Sequence, residues 1–307
     1  MKSVPASRPQ RLRRALSRRS RALAAGREEG SFRPLLRYQR DAPELLLSPH
    51  WDDAVLGSWS VLASSRELEV VNVFAGLPQP GHAGVWEAVG GCEDSAERAR
   101  GRMAEDALAL ARAGRTALNL PLPEVSLLAA PDAGLRRRPP GVGLAALDRE
   151  LADRVHGASR VYAPAGIGGH VDHLLTRRYG QALAGAGMPV ELYAELPYCI
   201  FHGWPAWVDG LAREPNRRVD AYWKSFLRDV PEMPALNSGE VTRLDDAALA
   251  ARLEAIGCYR LSLNYAVRRM LADPALTRFE VRWRLSPRDA ATPARHDGRW
   301  PAGHDDR

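Results

Sequence analysis

Short apolar runs and longer helical segments alternate along this chain, and their order predicts the fold. Residues 45–47 are consecutive leucines, which is typical of a strand buried on both faces of a parallel sheet. Residues 95–114 have few β-branched side chains, Ser95 as a candidate N-cap and Gly114 at the end, which is typical of a helix. The alternation predicts an α/β protein with a Rossmann-like three-layer fold and a mostly parallel sheet.

The remaining segments extend the same alternation. Further strands are predicted at residues 67–76, 159–166, 189–198 and 278–286, and further helices at residues 54–65, 144–155, 174–187 and 244–263. Residues 121–143 are rich in Pro, Gly and Arg and are predicted to be irregular. Residues 199–237 are rich in Trp and Pro, which predicts an irregular insertion. Its Trp204, Trp207 and Trp223 form either the core of a cap or platforms for a sugar ring.

The positive charge of the chain is concentrated at its N-terminus. The 307 residues have a formal net charge of +6, but residues 1–40 alone contain 12 Lys and Arg and two Glu, a local net charge of +10. The rest of the chain therefore carries a net charge of −4, so no specific nucleic-acid partner is expected. We interpret residues 1–40 as a basic tail that is either solvated or touches acidic surfaces such as anionic lipid or RNA.

The cysteines and the apolar stretches narrow the class of protein further. Cys92, Cys199 and Cys258 are far apart and lack C-x-x-C spacing, so neither a disulfide framework nor a thiolate metal site is predicted. The arginine-rich start has no apolar core typical of a signal peptide, and no apolar run has the length of a membrane-spanning helix. We therefore expect a cytoplasmic protein.

Two segments with metal-binding side chains each follow a predicted strand. The first is PHWDD at residues 49–53, and the second is GGHVDH at residues 168–173. Because ligand sites in open α/β sheets lie beyond the carboxyl ends of the strands, we expect the two segments to converge. His50, Asp53 and His173 would then supply two imidazole nitrogens and one carboxylate oxygen, a set that Zn²⁺ accepts while keeping a position for water. Taken alone, the first segment could equally be a helix cap beside a hydrogen-bonded histidine.

Three neighbouring polar residues are candidates for supporting roles. Asp52 is adjacent to a predicted metal ligand and is a candidate general base. His170 is expected to face the same cavity, where it would either donate a hydrogen bond to an oxyanion or protonate a leaving nitrogen. Asp172 is a candidate for fixing the orientation of a metal-bound imidazole.

PHWDD with a later HVDH resembles the motifs of the PIG-L or LmbE-like family of zinc-dependent N-deacetylases, usually written H-P-D-D and H-x-D-H. The resemblance covers residues 44 to about 285. Within it, Arg102 and Glu105 match the R-x-x-E helix of the family. Tyr259 and Ser262 match a later family helix.

The resemblance implies a role for each matching residue. His50, Asp53 and His173 would bind zinc, Asp52 would be the base, and His170 would stabilise the oxyanion. Arg102 and, more loosely, Glu124 would contact a polar substrate. Arg102 could instead pair with Glu105 or Asp106 of its own helix. Trp51 replaces the usual proline of the first motif and is expected to stack on a sugar or aromatic group of the substrate.

Taken together, these features predict a single deacetylase domain at residues 41–288, between the basic tail and a polar tail at residues 289–307. The expected reaction is zinc-dependent removal of an N-acetyl or other N-acyl group from an amino sugar or glycoconjugate. Two alternatives remain open. The first is an amidase that acts on a larger thiol conjugate or acylated natural product. The second is a catalytically silent binding protein with a structural metal.

Overall fold

A mixed β-sheet forms the centre of the protein in the computed structural model, which describes residues 41–81, 85–124, 142–210, 217–228, 230 and 235–286. The strands are β1 (Glu44–Ser48), β2 (Leu68–Asn72), β3 (Ala117–Asn119), β4 (Arg160–Pro164), β5 (Val190–Tyr193), β6 (Glu240–Arg243) and β7 (Phe279–Arg284). The helices are α1 (Asp53–Gly57), α2 (Trp59–Leu62), α3 (Val85–Gly90), α4 (Ser95–Ala111), α5 (Leu144–His156), α6 (Val171–Gly185), α7 (Ala206–Asp209), α8 (Arg217–Leu227), α9 (Asp246–Ile256), α10 (Tyr265–Leu271) and α11 (Pro274–Thr277).

The order of the strands confirms the predicted α/β class with a mostly parallel sheet. Neighbouring strands follow the order β3-β2-β1-β4-β5-β7-β6. β1 to β5 pair in parallel, and β7 pairs antiparallel with both β5 and β6. The leucines at residues 45–47 are almost fully buried because β1 lies in the middle of the sheet.

Helix ends differ in detail from the sequence expectations. The helix predicted at residues 54–65 is divided into α1 and α2 at Ser58, whose φ of −145° and ψ of 38° are not helical. Asp94, not Ser95, caps α4, and its side chain accepts a hydrogen bond from the backbone N–H of Glu97. The helix predicted at residues 244–263 ends at Ile256, so the following residues through Leu263 form a connecting loop.

The Trp-rich insertion contains more regular structure than expected. It includes the helix α8, and its Trp204 and Trp223 are buried. Trp223 packs within 5.9 Å of Trp204 and Trp207 and within 5.8 Å of Trp283 on β7, measured between ring centroids. These rings form the apolar core of the insertion, so they do not serve as exposed platforms.

Several expectations concern residues outside the described part of the chain. They are the basic tail at residues 1–40, the polar tail at residues 289–307 and most of the irregular segment at residues 121–143. Among the described helices, none is both long enough and apolar enough to cross a membrane.

Candidate active site

The two histidine segments meet at one edge of the sheet. His50 lies two residues beyond the end of β1, and His173 is in the first turn of α6, which follows β4. β1 and β4 are adjacent and parallel, so their carboxyl ends reach the same edge. The convergence that was predicted from the sequence is therefore present in the fold.

Three polar atoms at this edge form a nearly equilateral triangle. Nδ1 of His50 is 3.3 Å from Oδ2 of Asp53 and 3.3 Å from Nε2 of His173. Nε2 of His173 is in turn 3.2 Å from Oδ2 of Asp53. All three side chains are buried. Three possible ligand atoms are thus gathered at one buried point.

The size of this triangle fits a zinc ion. Zinc binds histidine nitrogen and carboxylate oxygen at about 2.0–2.2 Å, and tetrahedral geometry then separates two ligand atoms by about 3.3–3.6 Å. The separations of 3.2–3.3 Å are close to this range. The described residues also contain a looser three-histidine group of His50, His170 and His173, whose ligand atoms lie within 4.8 Å of one another. The tighter set with Asp53 matches the predicted ligands.

In each of the two imidazoles, a carboxylate contacts the ring nitrogen that is not part of the triangle. Nε2 of His50 lies 3.2 Å from Oδ2 of Asp172, a contact that favours one tautomer of the imidazole. Nδ1 of His173 lies 3.2 Å from Oε1 of Glu195, which is fully buried. Glu195 also accepts a hydrogen bond of 2.6 Å from the backbone N–H of Gly166. The other ring nitrogen of each histidine thus forms a corner of the triangle.

Sequence reasoning missed Glu195. The available signal was a charged residue two positions beyond the end of β5, at the same edge of the sheet as the two histidine segments. A carboxylate in this position must find a partner, because burying an unpaired charge is costly.

The electrostatics of this cluster favour a bound cation. Burial alone would lower the pKa of His173, but Asp53 and Glu195 raise it to about 9. Burial likewise opposes a charge on His50, yet Glu124 and other carboxylates raise its pKa well above the usual value. Burial would raise the pKa of Asp53, and the two histidines hold it well below its usual range. The carboxylates around the triangle are thus stabilised by positive charge, which either protons or a metal ion supply.

Asp52 is buried beside the triangle but has different partners from Asp53. Its side chain makes no capping hydrogen bond to α1, although it precedes that helix. Burial and the neighbouring Asp53 raise its pKa to about 6, against the opposing charges of Arg102 and His50. A carboxyl group with a pKa near neutrality can both accept and return a proton.

His170 is oriented by the start of α6. Its Nδ1 accepts a hydrogen bond of 3.4 Å from the backbone N–H of Asp172, so a neutral ring carries its proton on Nε2. Burial and the nearby His50 and His173 lower its pKa to about 3. His170 is therefore a neutral hydrogen-bond donor at ordinary pH.

Arg102 and Glu124 form a buried ion pair next to Asp52. Nη1 of Arg102 is 2.5 Å from Oε2 of Glu124, and Nη2 is 4.0 Å from Oδ1 of Asp52. Nε donates to Oγ of Ser262 at 3.4 Å. The alternative pairing of Arg102 within its own helix is wrong, because its partners lie on other segments. The residues that were expected to touch substrate, Arg102 and Glu124, are thus held together beside the candidate base.

Trp51 does not have the position that was expected for it. Its ring is fully buried and its Nε1 donates to Oδ1 of Asn119 at 2.9 Å. The guanidinium of Arg102 lies 5.0 Å from the ring centroid. The expectation that Trp51 stacks on a substrate group is therefore corrected. The ring instead packs against the guanidinium of Arg102 in a cation–π contact.

The residues that match the later family motif lie in a loop after α9 and not in a helix. Oε1 of Glu105 accepts hydrogen bonds from the backbone N–H groups of Arg260 and Leu261 at 2.8 and 2.7 Å, and Oε2 accepts one from Ser262 at 3.1 Å. Tyr259 donates from its hydroxyl to Asp106 at 2.8 Å. These contacts attach the loop to α4 and bring Ser262 to Arg102.

Solved structures with the same fold include enzymes from antibiotic biosynthesis. A deacetylase–bog complex from the teicoplanin pathway has a TM-score of 0.59 and 22% sequence identity, covering 81% of this chain and 100% of its own. A deacetylase–teicoplanin complex has a TM-score of 0.58 and 20% identity, covering 80% and 99%. The zinc-inhibited form of teicoplanin deacetylase Orf2 has a TM-score of 0.56 and 22% identity, covering 81% and 100%. Likeness at this level of identity concerns the fold alone.

A curated relative is similar over a short segment. The 2'-N-acetylparomamine deacetylase of Streptomyces fradiae is 43% identical to this chain over 56 residues. The match covers 17% of this chain and about a fifth of the relative, 20% of its length. No protein-family profile matches the chain.

Proposed function

We propose that this protein is a zinc-dependent hydrolase that removes an N-acetyl or other N-acyl group from an amino sugar or glycoconjugate. The observation that carries the proposal is the triangle of Nδ1 of His50, Oδ2 of Asp53 and Nε2 of His173, with 3.2–3.3 Å between its corners. A ligand set of two imidazoles and one carboxylate leaves a coordination position open, as in catalytic sites.

The proposed reaction is hydrolysis of a linear amide. When bound, zinc would polarise the amide carbonyl and lower the pKa of the attacking water. Asp52 accepts a proton from that water as its oxygen bonds to the carbonyl carbon. The C–N bond then breaks, and Asp52 returns the proton to the nitrogen. The products are a free amine and a carboxylic acid, which releases its remaining proton to solvent and becomes a carboxylate.

His170 and Arg102 have separate proposed tasks in this reaction. His170 donates from Nε2 to the oxygen of the former carbonyl, which becomes negatively charged as the water attacks. With a pKa near 3 it does not supply the proton to the leaving nitrogen, so that task is assigned to Asp52. Arg102, with Glu124, binds a polar group of the substrate. Asp172 and Glu195 keep the two histidine ligands in orientation.

The substrate class is supported by the names of similar proteins. The curated relative is named for 2'-N-acetylparomamine, and the solved structures include a deacetylase–teicoplanin complex. This second name also favours one alternative, an amidase that acts on a larger acylated natural product. The two candidates differ in the length of the acyl group that is released.

The proposal is tested by metal analysis and product analysis of the purified protein. We expect about one equivalent of zinc per chain and release of acetate from a panel of N-acetylated amino sugars and aminoglycosides. Release of long-chain fatty acid without any acetate would favour the alternative substrate. Bound zinc without hydrolysis of any amide would contradict both and leave a binding protein with a structural metal.

A further inference from the structure

A tyrosine that has no place in the mechanism above packs directly against the metal triangle. Tyr198 begins a short 3₁₀ turn, Tyr198–Ile200, which follows β5 at the same edge of the sheet as the histidine segments. Its ring meets that of His173 edge-on, with 5.5 Å between the ring centroids and an interplanar angle of 86°. Tyr198 is thus in contact with a proposed metal ligand.

The glycine loop before α6 is shaped around this tyrosine. Gly168 has a φ of 93°, and a Cβ atom built on it would lie 2.8 Å from Cβ of Tyr198. A side chain at residue 168 would therefore collide with the tyrosine. On the other side, the hydroxyl of Tyr222 donates to the backbone carbonyl of Tyr198 at 3.1 Å. Gly168 thus leaves room for Tyr198, and Tyr222 holds the backbone of Tyr198 in place.

The hydroxyl of Tyr198 is available to a ligand. Among the described residues it has no hydrogen-bond partner, whereas the hydroxyls of Tyr193 and Tyr259 both have one. At ordinary pH a tyrosine hydroxyl carries its proton and is therefore a donor. The carboxylates of Asp53 and Asp52 act electrostatically on this hydroxyl, so it lies near the candidate active site.

We propose that the Tyr198 hydroxyl donates a hydrogen bond to the acyl oxygen of the bound substrate and of the released carboxylate. The inference rests on the proposed function, because it assumes that the acyl group lies beside His173. It adds a second donor to that of His170, from a different segment of the chain. The acyl oxygen would then accept hydrogen bonds from Tyr198, after β5, and from His170, at the start of α6. No proton needs to leave the tyrosine.

The test is Tyr198→Phe in the full-length, zinc-loaded protein. This change keeps the ring against His173 and removes the hydroxyl alone. We expect kcat/KM for acetate release from N-acetylglucosamine to fall about 10- to 100-fold, with unchanged zinc content and unchanged thermal stability. The affinity for acetate, measured by isothermal titration calorimetry, should fall about 10-fold in the same variant.

Tyr222→Phe is the matched control. It removes a hydroxyl that only holds the backbone of Tyr198, so a purely structural effect of the 3₁₀ turn should appear in it as well. The proposal expects a clearly smaller loss of activity and acetate affinity in Tyr222→Phe than in Tyr198→Phe. Equal losses in the two variants would overturn it, as would wild-type behaviour of Tyr198→Phe.

Acetate binding separates this inference from the proposed function. If the wild-type protein hydrolyses no amide but binds acetate more tightly than Tyr198→Phe does, the proposed reaction fails and the tyrosine contact stands. If the wild type hydrolyses amides and Tyr198→Phe matches it in both assays, the reaction stands and the contact fails. A wild-type protein that neither hydrolyses amides nor binds acetate contradicts both.

Discussion

Nδ1 of His50 and Nε2 of His173 lie 3.3 Å apart, although 123 positions separate the two residues in the sequence. The distance is a consequence of topology, because β1 and β4 are neighbouring parallel strands that end at the same edge of the sheet. Asp53 closes the triangle from the first turn of α1. The arrangement makes the roles of the two adjacent aspartates experimentally separable.

Asp53→Asn and Asp52→Asn should have different effects. Asp53→Asn removes the carboxylate corner of the triangle, so we expect zinc content to fall well below one equivalent. Asp52→Asn leaves the triangle intact, so zinc should remain while turnover falls by about 10²- to 10⁴-fold. Metal analysis and acetate release on both purified variants check this prediction. Loss of zinc from Asp52→Asn with full retention in Asp53→Asn would exchange the two assignments.

Glu195→Gln should weaken metal binding without unfolding the protein. The substitution removes the charge that orients Nδ1 of His173, and a glutamine oxygen can still accept the N–H of Gly166. We expect zinc affinity to fall about 10- to 100-fold, measured by competition with a chelator. Glu254→Gln, on an exposed residue of α9, is the control and should bind zinc like the wild type. Equal affinity of all three proteins would contradict the role of Glu195.

Asp106 should make the stability of the protein depend on pH. Burial raises its pKa to about 7, although hydrogen bonds from Asn72 and Tyr259 favour the charged form. In the unfolded chain this carboxyl has its ordinary pKa near 3.8. At a pH between these two pKa values, Asp106 is protonated in the folded state and deprotonated in the unfolded state. The stabilising contribution is therefore complete below about pH 4 and is lost as pH rises towards 7.

Asp106→Asn tests this dependence, because an amide does not titrate. Between pH 4 and 7 the wild type should lose up to about 1.4 kcal/mol of unfolding free energy per pH unit relative to the variant. Denaturant unfolding of both proteins at several pH values, in the presence of a chelator, gives this difference. A difference that is independent of pH would show that Asp106 is charged throughout that range.

Arg102→Ala should destabilise the fold as well as reduce activity. The guanidinium is buried beside Glu124 and Asp52, and its removal takes a positive charge away from both carboxylates. Breaking such a buried pair costs about 3–5 kcal/mol of unfolding free energy. Arg66→Ala breaks a pair with Glu44 whose arginine is 56% exposed, so its cost should be below about 1 kcal/mol. Chemical denaturation of both variants compares the two costs, and similar values would contradict this account of Arg102.

Local features of the sequence were sufficient for the class of fold and for the central elements. The leucine run of β1 and the long helix α4 are visible because hydrophobic periodicity is a local property. β3 and β6 were not predicted, since β3 has three residues and β6 lies at an edge of the sheet with no fully buried residue. The antiparallel direction of β7 depends on how the chain returns across the insertion, which no local pattern records.

The sequence by itself determined which residue types lie beyond the ends of the strands, and hence that two histidines and an aspartate could meet. Only the tertiary structure decided which polar atom faces which partner. It oriented His173 with Glu195, turned Trp51 inward under Arg102 and brought the loop at Ser262 to α4. Side chains that are distant in the chain acquire these contacts only when packing brings their segments together, because burial allows polar groups to remain only where a partner is available.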